Sequence, residues 1–439
     1  MAYNYFGKKI LILGIGLTGI SCINFFLKQG ITPKIIDESK NPLFVTKIPK
    51  NIECSFGSLE HKWILESDII IISPGISSFR PILIKARLLG IEIISDIELF
   101  VREISTPIIA ITGTNGKSTV ATMITKIAQN SGYNALLGGN IGCPVLNLLH
   151  QKRDLYIIEL SSFQLENTFN LKSKISVILN IHEDHINRYP QGFEQYKKTK
   201  LSIYHGAEIC IMNSHDQLND IFDDKNKHYI SFGKKNSDYY IYKNDTSFIL
   251  CCKNEKILNS SELLLSGYHN YNNVLVSIAI ADAMKFSRQY TIYTLKNFSS
   301  LPHRFQTIQN KNNIDWINDS KSTNVNSTQV ALNSLTKKGT IHLLLGGDSK
   351  SGNFNILKKY FNKKNIKIYC FGKDGVKIFK ICKKKSIYVE NLKQAMLLIS
   401  KTVKSGDTVL LSPGCSSLDQ FSNFEERGNL FIKLTKEMT

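Results

Sequence analysis

The sequence predicts three consecutive α/β domains, and three observations support this fold class. Near the amino terminus the apolar segment KKILILG leads into a glycine-rich turn and a helical pattern. In the middle of the chain, AITGTNGKST has the same order of strand, turn and helix. After LPHRF, four apolar segments each end in a polar loop. Apolar strands that alternate with helices are typical of parallel sheets, and 439 residues suffice for several domains.

The first domain, residues 1–95, contains the turn Gly14-x-Gly16-x-x-Gly19 between a strand and a helix. Gly30 is predicted to cap that helix, and Asp37 ends the second strand. In this context the glycine pattern predicts a Rossmann-like unit, in which backbone amides and a helix N-terminus face an anion. SDIIIISPGI and GIEIISDIELF each add a strand.

The central domain, residues 96–300, is predicted to be a P-loop-type domain with an α/β sheet and a phosphate-binding loop. Glycines allow backbone amides to approach phosphate oxygens, Lys117 would neutralise charge, and Ser118 or Thr119 can offer a hydroxyl to Mg²⁺. The spacing G-x-x-G-K-[ST] is shorter than the Walker A form, so a generic P-loop GTPase or kinase fits less well. The predicted loop residues are Gly113, Thr114, Asn115, Gly116, Lys117, Ser118 and Thr119.

Two more strands of this domain end in polar side chains. DLYIIE delivers Glu159, and KISVILNI is followed by HEDH, which contains His185. A glutamate after a strand is more often a surface residue, but beside a phosphate loop we interpret Glu159 as a metal carboxylate. For His185, spacing alone leaves a structural role and a ligand role open. Zinc is disfavoured, because no cysteine pair is nearby and a nucleotide loop requires an oxygen-ligated ion.

The third domain, residues 301–439, is predicted to be Rossmann-like as well. Its polar loops follow successive strands, and ligands of parallel sheets lie beyond the carboxyl ends of strands. These loops are therefore candidate walls of a binding site. They lie in WINDSKSTN, LLLGGDSK, YCFGKDG and LLSPGCSSLDQF.

Composition narrows the class of protein. The formal charge of +19 could suggest nucleic-acid binding, but the lysines form no single stripe and instead follow a general abundance of Lys, Asn and Ile. No apolar run is long enough to cross a bilayer, and the start lacks a secretory pattern. Nine cysteines occur without a C-x-x-C pair, which indicates reduced thiols. We expect a cytoplasmic protein that binds neither nucleic acid nor membrane.

In their order and spacing these segments resemble the Mur ligases, the ATP-dependent amide-forming enzymes of peptidoglycan synthesis, over essentially the whole chain. The short first domain and the lack of an Asp-Asn-Pro motif favour a member that adds D-glutamate to UDP-N-acetylmuramoyl-L-alanine. Folylpolyglutamate synthase shares the central plan but would leave the first domain unexplained. The matching segments are GIGLTGIS, SPGI, DIELF, TGTNGKST, GGNIG, ELSSFQLE, LNIHEDHINRY, KLSIY, SGYHNYNN, LPHRF, NDSKSTN, LLLGGDSK and LLSPGCSSLDQFSNFEERG.

The resemblance implies a mechanism. The acceptor carboxylate attacks the γ-phosphorus of ATP to give an acyl phosphate, and the amine of D-glutamate then displaces phosphate. Mg²⁺ and Lys117 would offset the repulsion between the anions. Domain closure would protect the acyl phosphate from water.

The resemblance also assigns roles around ATP. Ser118 and Glu159 are expected to bind the first Mg²⁺ and His185 a second, while Lys200 matches a lysine carried as a carbamate. Together with Lys117, the residues Glu159, His185 and Lys200 form the expected catalytic set. Further ATP contacts are expected from Asn270, Asn273, Arg304 and Asp319.

The resemblance further implies two substrate sites. Glu38 and Ser39 stand where a hydroxyl and a basic residue are usual, although Lys40 is adjacent and could substitute. The UDP substrate is expected to contact Gly16, Leu17, Thr18, Asp37, Ser73, Gly75 and Asn140. D-Glutamate is expected to contact Thr323, Lys350, Ser417, Leu418 and Phe424, with help from Lys321.

Two other function classes fit the sequence less well. An NAD-dependent oxidoreductase would account for Gly14-x-Gly16-x-x-Gly19 and Asp37, but it leaves the central phosphate loop without a purpose. A scaffold with a degenerate ATP site is disfavoured by the nearly complete set of catalytic candidates. We expect a monomer, because three domains that close on one another leave no obvious dedicated interface.

Overall fold

A computed structural model of the chain describes residues 3–149, 153–216, 227–245, 247–335, 339–350, 352–363, 365–382 and 385–438. The chain divides into two compact units. The first comprises residues 1–259 and 273–296, and the second comprises residues 260–272 and 297–439. The first unit contains two sheets and the second contains one.

The first sheet has five parallel strands in the order β3-β2-β1-β4-β5. The strands are β1 (Ile10–Leu13), β2 (Lys34–Asp37), β3 (Cys54–Phe56), β4 (Ile69–Ile72) and β5 (Glu92–Ile94). The helices are α1 (Leu17–Lys28), α2 (His61–Leu65), α3 (Pro81–Leu88) and α4 (Asp96–Glu103). The predicted Rossmann-like unit is confirmed, while DIELF proves to be the start of α4 rather than part of a strand.

The glycines of the first turn are required by close packing. A Cβ at position 19 would lie 2.1 Å from the carbonyl oxygen of Gly14, so only glycine lets α1 approach β1 this closely. Gly14 itself has a φ of +92°, in the left-handed region that favours glycine. The turn therefore places the N-terminus of α1 beside the carboxyl ends of β1 and β4, where the strand order reverses.

The second sheet has nine strands in the order β14-β13-β12-β11-β10-β9-β6-β8-β7. The strands from β7 to β12 pair in parallel, and the last two pairings are antiparallel. The strands are β6 (Ile108–Thr112), β7 (Ala135–Gly139), β8 (Leu155–Glu159), β9 (Ile175–Ile178), β10 (Ile209–Asn213), β11 (His228–Gly233), β12 (Tyr239–Lys243), β13 (Phe248–Cys252) and β14 (Glu255–Asn259). The helices are α5 (Lys117–Asn130), α6 (Ser162–Leu165), α7 (Gly192–Leu201), α8 (Tyr268–Ala283) and α9 (Arg288–Lys296).

The two sheets of the first unit share buried contacts. Phe100 of α4 packs edge-on against Tyr156 of β8, with ring centroids 5.1 Å apart. Arg188 donates hydrogen bonds to the carbonyl oxygens of Pro74 (2.6 Å) and Ile76 (3.0 Å), and it pairs with the buried Glu166 at 3.2 Å. The loop after β4 is thereby held against the segment that follows β9.

The third sheet has six strands in the order β15-β16-β20-β17-β18-β19, and only the β15–β16 pair is antiparallel. The strands are β15 (Gln306–Lys311), β16 (Ile314–Asn318), β17 (Ile341–Gly346), β18 (Ile366–Phe371), β19 (Ser386–Tyr388) and β20 (Thr408–Leu411). The helices are α10 (Val325–Ser334), α11 (Lys358–Lys363), α12 (Gly375–Cys382), α13 (Leu392–Ser400) and α14 (Phe424–Glu437). The four predicted strands are confirmed, whereas β15 and β19 were not foreseen.

This third sheet is buried on both faces. Leu343 and Leu345 of β17 pack with Ile378 of α12 on one face. Leu344 packs with Met396 of α13 on the other. Alternate side chains of one strand thus belong to two cores, which explains why the strand reads as a continuous apolar run.

None of the helices in the described parts of the chain is both long enough and apolar enough to cross a bilayer. All nine cysteines are free thiols. Burial raises the pKa of the Cys22 thiol well above its usual range, so this side chain is an inert part of the core.

Candidate active site

The predicted phosphate loop connects β6 to α5. Gly116 stands immediately before the helix with a φ of +86°, and a Cβ there would lie 2.6 Å from Oδ1 of Asn273. Asn273, one of the expected ATP contacts, therefore lies directly against the loop. The helix begins at Lys117. The backbone amides of its first turn have no partner within the helix, so they are available to bind a phosphate held by the loop.

The loop is braced by the segment after β9. The backbone amides of Thr114 and Asn115 donate to the main-chain and side-chain oxygens of Asn180, each at 2.9 Å. The hydroxyl of Thr114 lies 3.0 Å from that of Tyr196 and accepts the amide of His182. Sequence reasoning missed Asn180 and Tyr196, since nothing in the local pattern shows which loops meet. These hydrogen bonds fix the conformation of the loop.

Lys117 curls over the loop that precedes it. Its ammonium donates to the carbonyl oxygens of Gly113 (2.8 Å) and Thr114 (3.0 Å). An outer phosphate oxygen could replace either neutral acceptor. The position supports the expected role of Lys117 in neutralising phosphate charge.

Glu159 lies next to this loop, because β8 pairs with β6 and Glu159 is opposite Ile111. Its side chain is 1% exposed, and Asn140 donates to Oε1 at 2.8 Å. Within the described residues Oε2 has no hydrogen-bond partner although it is buried. A buried carboxylate oxygen left in this state requires a cation or a donor from a ligand.

Mg²⁺ fits this environment. Magnesium prefers oxygen ligands and commonly binds through one or two carboxylates together with substrate phosphates. Oε2 of Glu159 is such an oxygen, and Ser118 and Thr119 lie in the first turn of α5 with 4% and 7% exposure. In the parts of the chain that the structure describes, no three His, Cys, Asp or Glu side chains form a metal-binding group.

Lys200, on α7, is buried at the same end of the sheet. It is 2% exposed and donates to the hydroxyl of Thr112 at 3.2 Å and to the carbonyl oxygen of Gly113 at 3.1 Å. Burial, reinforced by the nearby Lys117, holds the pKa of Lys200 well below its usual range. This shift favours the neutral amine, which is the form that reaction with CO₂ requires.

His185 immediately precedes the short 3-10 turn Ile186–Arg188 and has a φ of +54°, which is uncommon for a residue other than glycine. Its ring packs edge-on against Phe163 at 5.1 Å, and its Nε2 lies 3.6 Å from a carboxylate oxygen of Asp184. The side chain is 35% exposed. The constrained backbone and the accessible ring support a ligand role for His185.

In the first sheet, the expected UDP contacts follow β1, β2 and β4, which are neighbours. Asp37 accepts the amide of Ile15 at 2.7 Å and that of Ser39 at 2.8 Å, and Ser73 donates to the carbonyl oxygen of Gly14 at 2.9 Å. Both side chains therefore fix the backbone of the loops that line the crevice at the carboxyl ends of β1, β2 and β4. Gly16, Leu17 and Gly75 are exposed at its surface, and Thr18 is half-buried.

The unusual Glu38 is compensated within this sheet. Arg80 forms an ion pair with it at 2.7 Å. Local charge is thus balanced without Lys40. Sequence reasoning could not foresee this pair, because Arg80 lies on a different loop, just before α3.

In the second unit, the expected ATP contacts have structural partners. Asp319 accepts the amide of Phe305 at 3.0 Å and the hydroxyls of Ser322 and Ser412, and burial raises its pKa to about 6. Asn270 donates to the carbonyl oxygen of Ser266 at 2.8 Å. Arg304 lies close enough to Asp319 to lower the pKa of that carboxyl, against the effect of burial.

The expected D-glutamate contacts follow three strands of the third sheet and the start of α14. The ammonium of Lys321 lies over the ring of Phe424 at 4.0 Å, and Lys350 has a φ of +47°. Ser417 is buried, whereas Leu418 is 70% exposed. Thr323, Lys350 and Ser417 lie on the loops after β16, β17 and β20, which are neighbouring parallel strands, so these three loops lie at the same end of the sheet.

Family comparisons cover most of the chain. Residues 8–95 match the "Mur ligase MurD-like, N-terminal domain", residues 111–281 the "Mur ligase middle domain", and residues 303–415 the "Mur ligase, glutamate ligase domain". These matches rest on sequence and are independent of the geometry described above.

Curated relatives span the whole chain. It is 74% identical over 440 residues to the UDP-N-acetylmuramoylalanine–D-glutamate ligase of Buchnera aphidicola subsp. Acyrthosiphon pisum (strain Tuc7), covering 100% of both proteins. It is 47% identical over 435 residues to the enzyme of that name from Escherichia coli (strain K12), covering 99% of both.

Solved structures show the same fold at low identity. The MurF ligase of Thermotoga maritima in complex with ADP has a TM-score of 0.65 at 16% identity, with coverage of 99% of this chain and 97% of that chain. The UDP-N-acetylmuramate–alanine ligase MurC of Thermotoga maritima has a TM-score of 0.63 at 18% identity, with coverage of 98% and 100%. Because the curated relatives are 74% and 47% identical over essentially the whole chain, and three family models match it, the chain belongs to the Mur ligase family.

Proposed function

We propose that the chain is an ATP-dependent ligase that joins D-glutamate to UDP-N-acetylmuramoyl-L-alanine in the synthesis of peptidoglycan precursors. The observation that carries the proposal is the buried Oε2 of Glu159 beside the phosphate loop, because it prepares a cation site where ATP phosphates would lie. The names of the full-length relatives supply the two substrates.

The reaction proceeds in two steps. A carboxylate oxygen of the alanyl group attacks the γ-phosphorus of ATP and the bond to the β-phosphate oxygen breaks, giving an acyl phosphate and ADP. The amine of D-glutamate then attacks the acyl carbon, the carbon–oxygen bond to phosphate breaks, and the nitrogen loses a proton. Amide, ADP and phosphate are the products.

The residues of the chain bind and orient the reactants. Lys117 would neutralise the γ-phosphate, and α5 would present its amides to the phosphates. Glu159 and Ser118 would hold Mg²⁺, which when bound shields phosphate charge. Asn140 would keep the carboxylate of Glu159 in place.

Lys200 would act as a carbamate in this proposal. Its neutral amine attacks CO₂, a nitrogen–carbon bond forms and a proton is released, which replaces a buried cation by an anion. Burial and the lowered pKa of Lys200 support this step. The anion would attract the cationic parts of the site, where an ammonium would repel them.

Substrate assignments follow the order of the sheets. Residues 1–95 would bind the UDP moiety, residues 96–300 ATP, and residues 301–439 the amino acid. Asn140, beside Glu159, would contact the UDP substrate or the transferred phosphate. Cytoplasmic location and a monomeric state remain predictions.

An ADP-release assay tests the function directly. Purified protein with Mg²⁺, ATP, UDP-N-acetylmuramoyl-L-alanine and D-glutamate should form ADP and a product heavier by one glutamyl residue in mass spectrometry. Omission of any reactant should stop product formation, and L-glutamate serves as the matched control. Equal use of both enantiomers, or ADP release without a lengthened product, would contradict the proposal.

A further inference from the structure

Arg427 of α14 is a buried cation that the proposed mechanism does not use. Its side chain is 0% exposed. Nε donates to the hydroxyl of Ser320 at 3.0 Å, Nη2 to the carbonyl oxygen of Ser320 at 2.8 Å, and Nη1 to the carbonyl oxygen of Cys415 at 3.1 Å. All three bonds end on uncharged oxygens. One planar guanidinium thus ties α14 to the loops after β16 and β20.

A third loop packs on the same group. A Cβ at Gly347 would lie 3.4 Å from Nη1 of Arg427 and 2.2 Å from the carbonyl oxygen of Ser416. The backbones of Asp348 and Ser416 exchange two hydrogen bonds, at 3.1 and 2.8 Å. The loop after β17 is therefore fixed to the loop after β20 within a few ångströms of Arg427.

The proposed amino-acid contacts lie on these same loops. Thr323 is three positions after Ser320, Lys350 three after Gly347, and Ser417 two after Cys415. Phe424 begins α14, and its carbonyl oxygen accepts the hydroxyl of Ser320 at 2.8 Å. Thr323, Lys350 and Ser417 are thus within three positions of a residue that Arg427 bonds to or packs against, and Phe424 is three positions before Arg427.

Burying a cation costs free energy, so the planar geometry of the Arg427 guanidinium must offset that cost. Burial lowers the pKa of Arg427 to about 10, and the acidic groups Asp319 and Asp419 act on it only at longer range. An apolar residue would avoid this cost, and a lysine could not offer the same planar set of donors. The planar guanidinium satisfies three acceptors on two loops at once.

We propose that Arg427 is a positioning residue of the amino-acid pocket, which holds three loops at the spacing a dicarboxylate requires. The proposal rests on the proposed function, since the pocket is defined by it. In this proposal Arg427 is not itself a substrate contact. It acts through Thr323, Lys350 and Ser417.

Three variants test the proposal. Arg427→Lys keeps the charge but loses the planar donor set, and Ser320→Ala removes one hydroxyl with little change in volume. Lys433→Met is the control, because Lys433 lies on the same helix and is 72% exposed. Each variant is first checked for an unchanged circular dichroism spectrum and melting temperature.

The first readout separates the substrates. Arg427→Lys should raise the KM for D-glutamate by about tenfold or more, because small misplacements are costly, and leave the KM for ATP within about twofold. Ser320→Ala should act in the same direction but less strongly. An unchanged KM for D-glutamate in both folded variants would overturn the proposal, as would an equal rise for ATP.

The second readout measures formation of the acyl phosphate without using the amino-acid pocket. Hydroxylamine attacks an acyl phosphate without an amino-acid site and gives a hydroxamate of UDP-N-acetylmuramoyl-L-alanine. Arg427→Lys should form this hydroxamate at the wild-type rate within about twofold, because the first step does not use the pocket. Equal loss of hydroxamate and amide formation would refute the positioning role. Failure of the proposed function is distinguishable, since the wild-type protein would then show no D-glutamate-dependent product.

Discussion

Asn140 and Glu159 form a buried hydrogen-bonded pair: the amide donates to one carboxylate oxygen at 2.8 Å, and the other oxygen stays buried without a protein donor among the described residues. The pairing occurs because β7 lies beside β8, with Gly139 opposite Glu159. A Cβ at Gly139 would lie 2.3 Å from the carbonyl oxygen of Glu159, so glycine is needed for this approach.

Asn140→Ala should therefore weaken metal binding. Loss of a group that orients a metal ligand typically costs about 10–100-fold in metal affinity. We expect the Mg²⁺ concentration for half-maximal activity to rise by about that factor, and Mn²⁺ binding followed by electron paramagnetic resonance to weaken in parallel. Asn147→Ala, an exposed position on the same connection, is the control. Unchanged Mn²⁺ affinity would exclude the orienting role.

Lys200→Arg should reduce turnover by about 100-fold or more, because a guanidinium cannot form a carbamate and leaves a buried cation beside the metal site. Turnover is measured by ADP release at saturating substrates. Lys198→Arg, at an exposed position of the same helix, should retain wild-type turnover. Full activity of Lys200→Arg would refute the assignment.

Lys350→Ala should raise the KM for D-glutamate far more than that for ATP. Hydrogen bonds to charged groups contribute about 1.5–3 kcal/mol, which corresponds to about a 10- to 100-fold rise in KM. Lys393→Ala, exposed on α13, is the matched control. Equal increases for both substrates would argue against a contact with the amino acid.

Asp96→Asn should stabilise the protein near neutral pH. Asp96 is 1% exposed, its Oδ1 has no protein hydrogen-bond partner within the described chain, and burial raises its pKa to about 6 from 3.8. The folded state therefore binds the proton more tightly than the unfolded state, and stability falls as pH rises from 3.8 to about 6. Above that window the ionised carboxyl is a constant penalty, on the order of 1–3 kcal/mol.

Urea unfolding between pH 4 and 8 measures this effect. The gain of Asp96→Asn over wild type should be near zero at the acid end, grow through the window and then level off. Asp245→Asn, at an exposed position, should follow the wild-type curve. A gain that does not vary with pH would show that packing, not ionisation, causes it.

Much of the fold could be predicted because its local chemistry is explicit. Apolar runs such as KKILILG and ISVILN form strands wherever they pack, and the glycines at 14, 19 and 116 occupy places that no side chain could fill. Short or edge strands such as β3, β15 and β19 were not predicted, because few of their residues are buried and their pairing depends on distant partners.

The sequence by itself determined the α/β architecture, the phosphate loop and the family, since these depend on hydrophobic period, glycine placement and motif order along the chain. Only the tertiary structure decided that one buried oxygen of Glu159 has no hydrogen-bond partner among the described residues. It also decided that Arg80 neutralises the charge of Glu38 and that Arg427 connects two separate loops. The physical reason is that hydrogen bonds and charges act over a few ångströms in space. Residues that are distant in sequence become neighbours only when parallel strands bring their carboxyl ends to the same edge of a sheet.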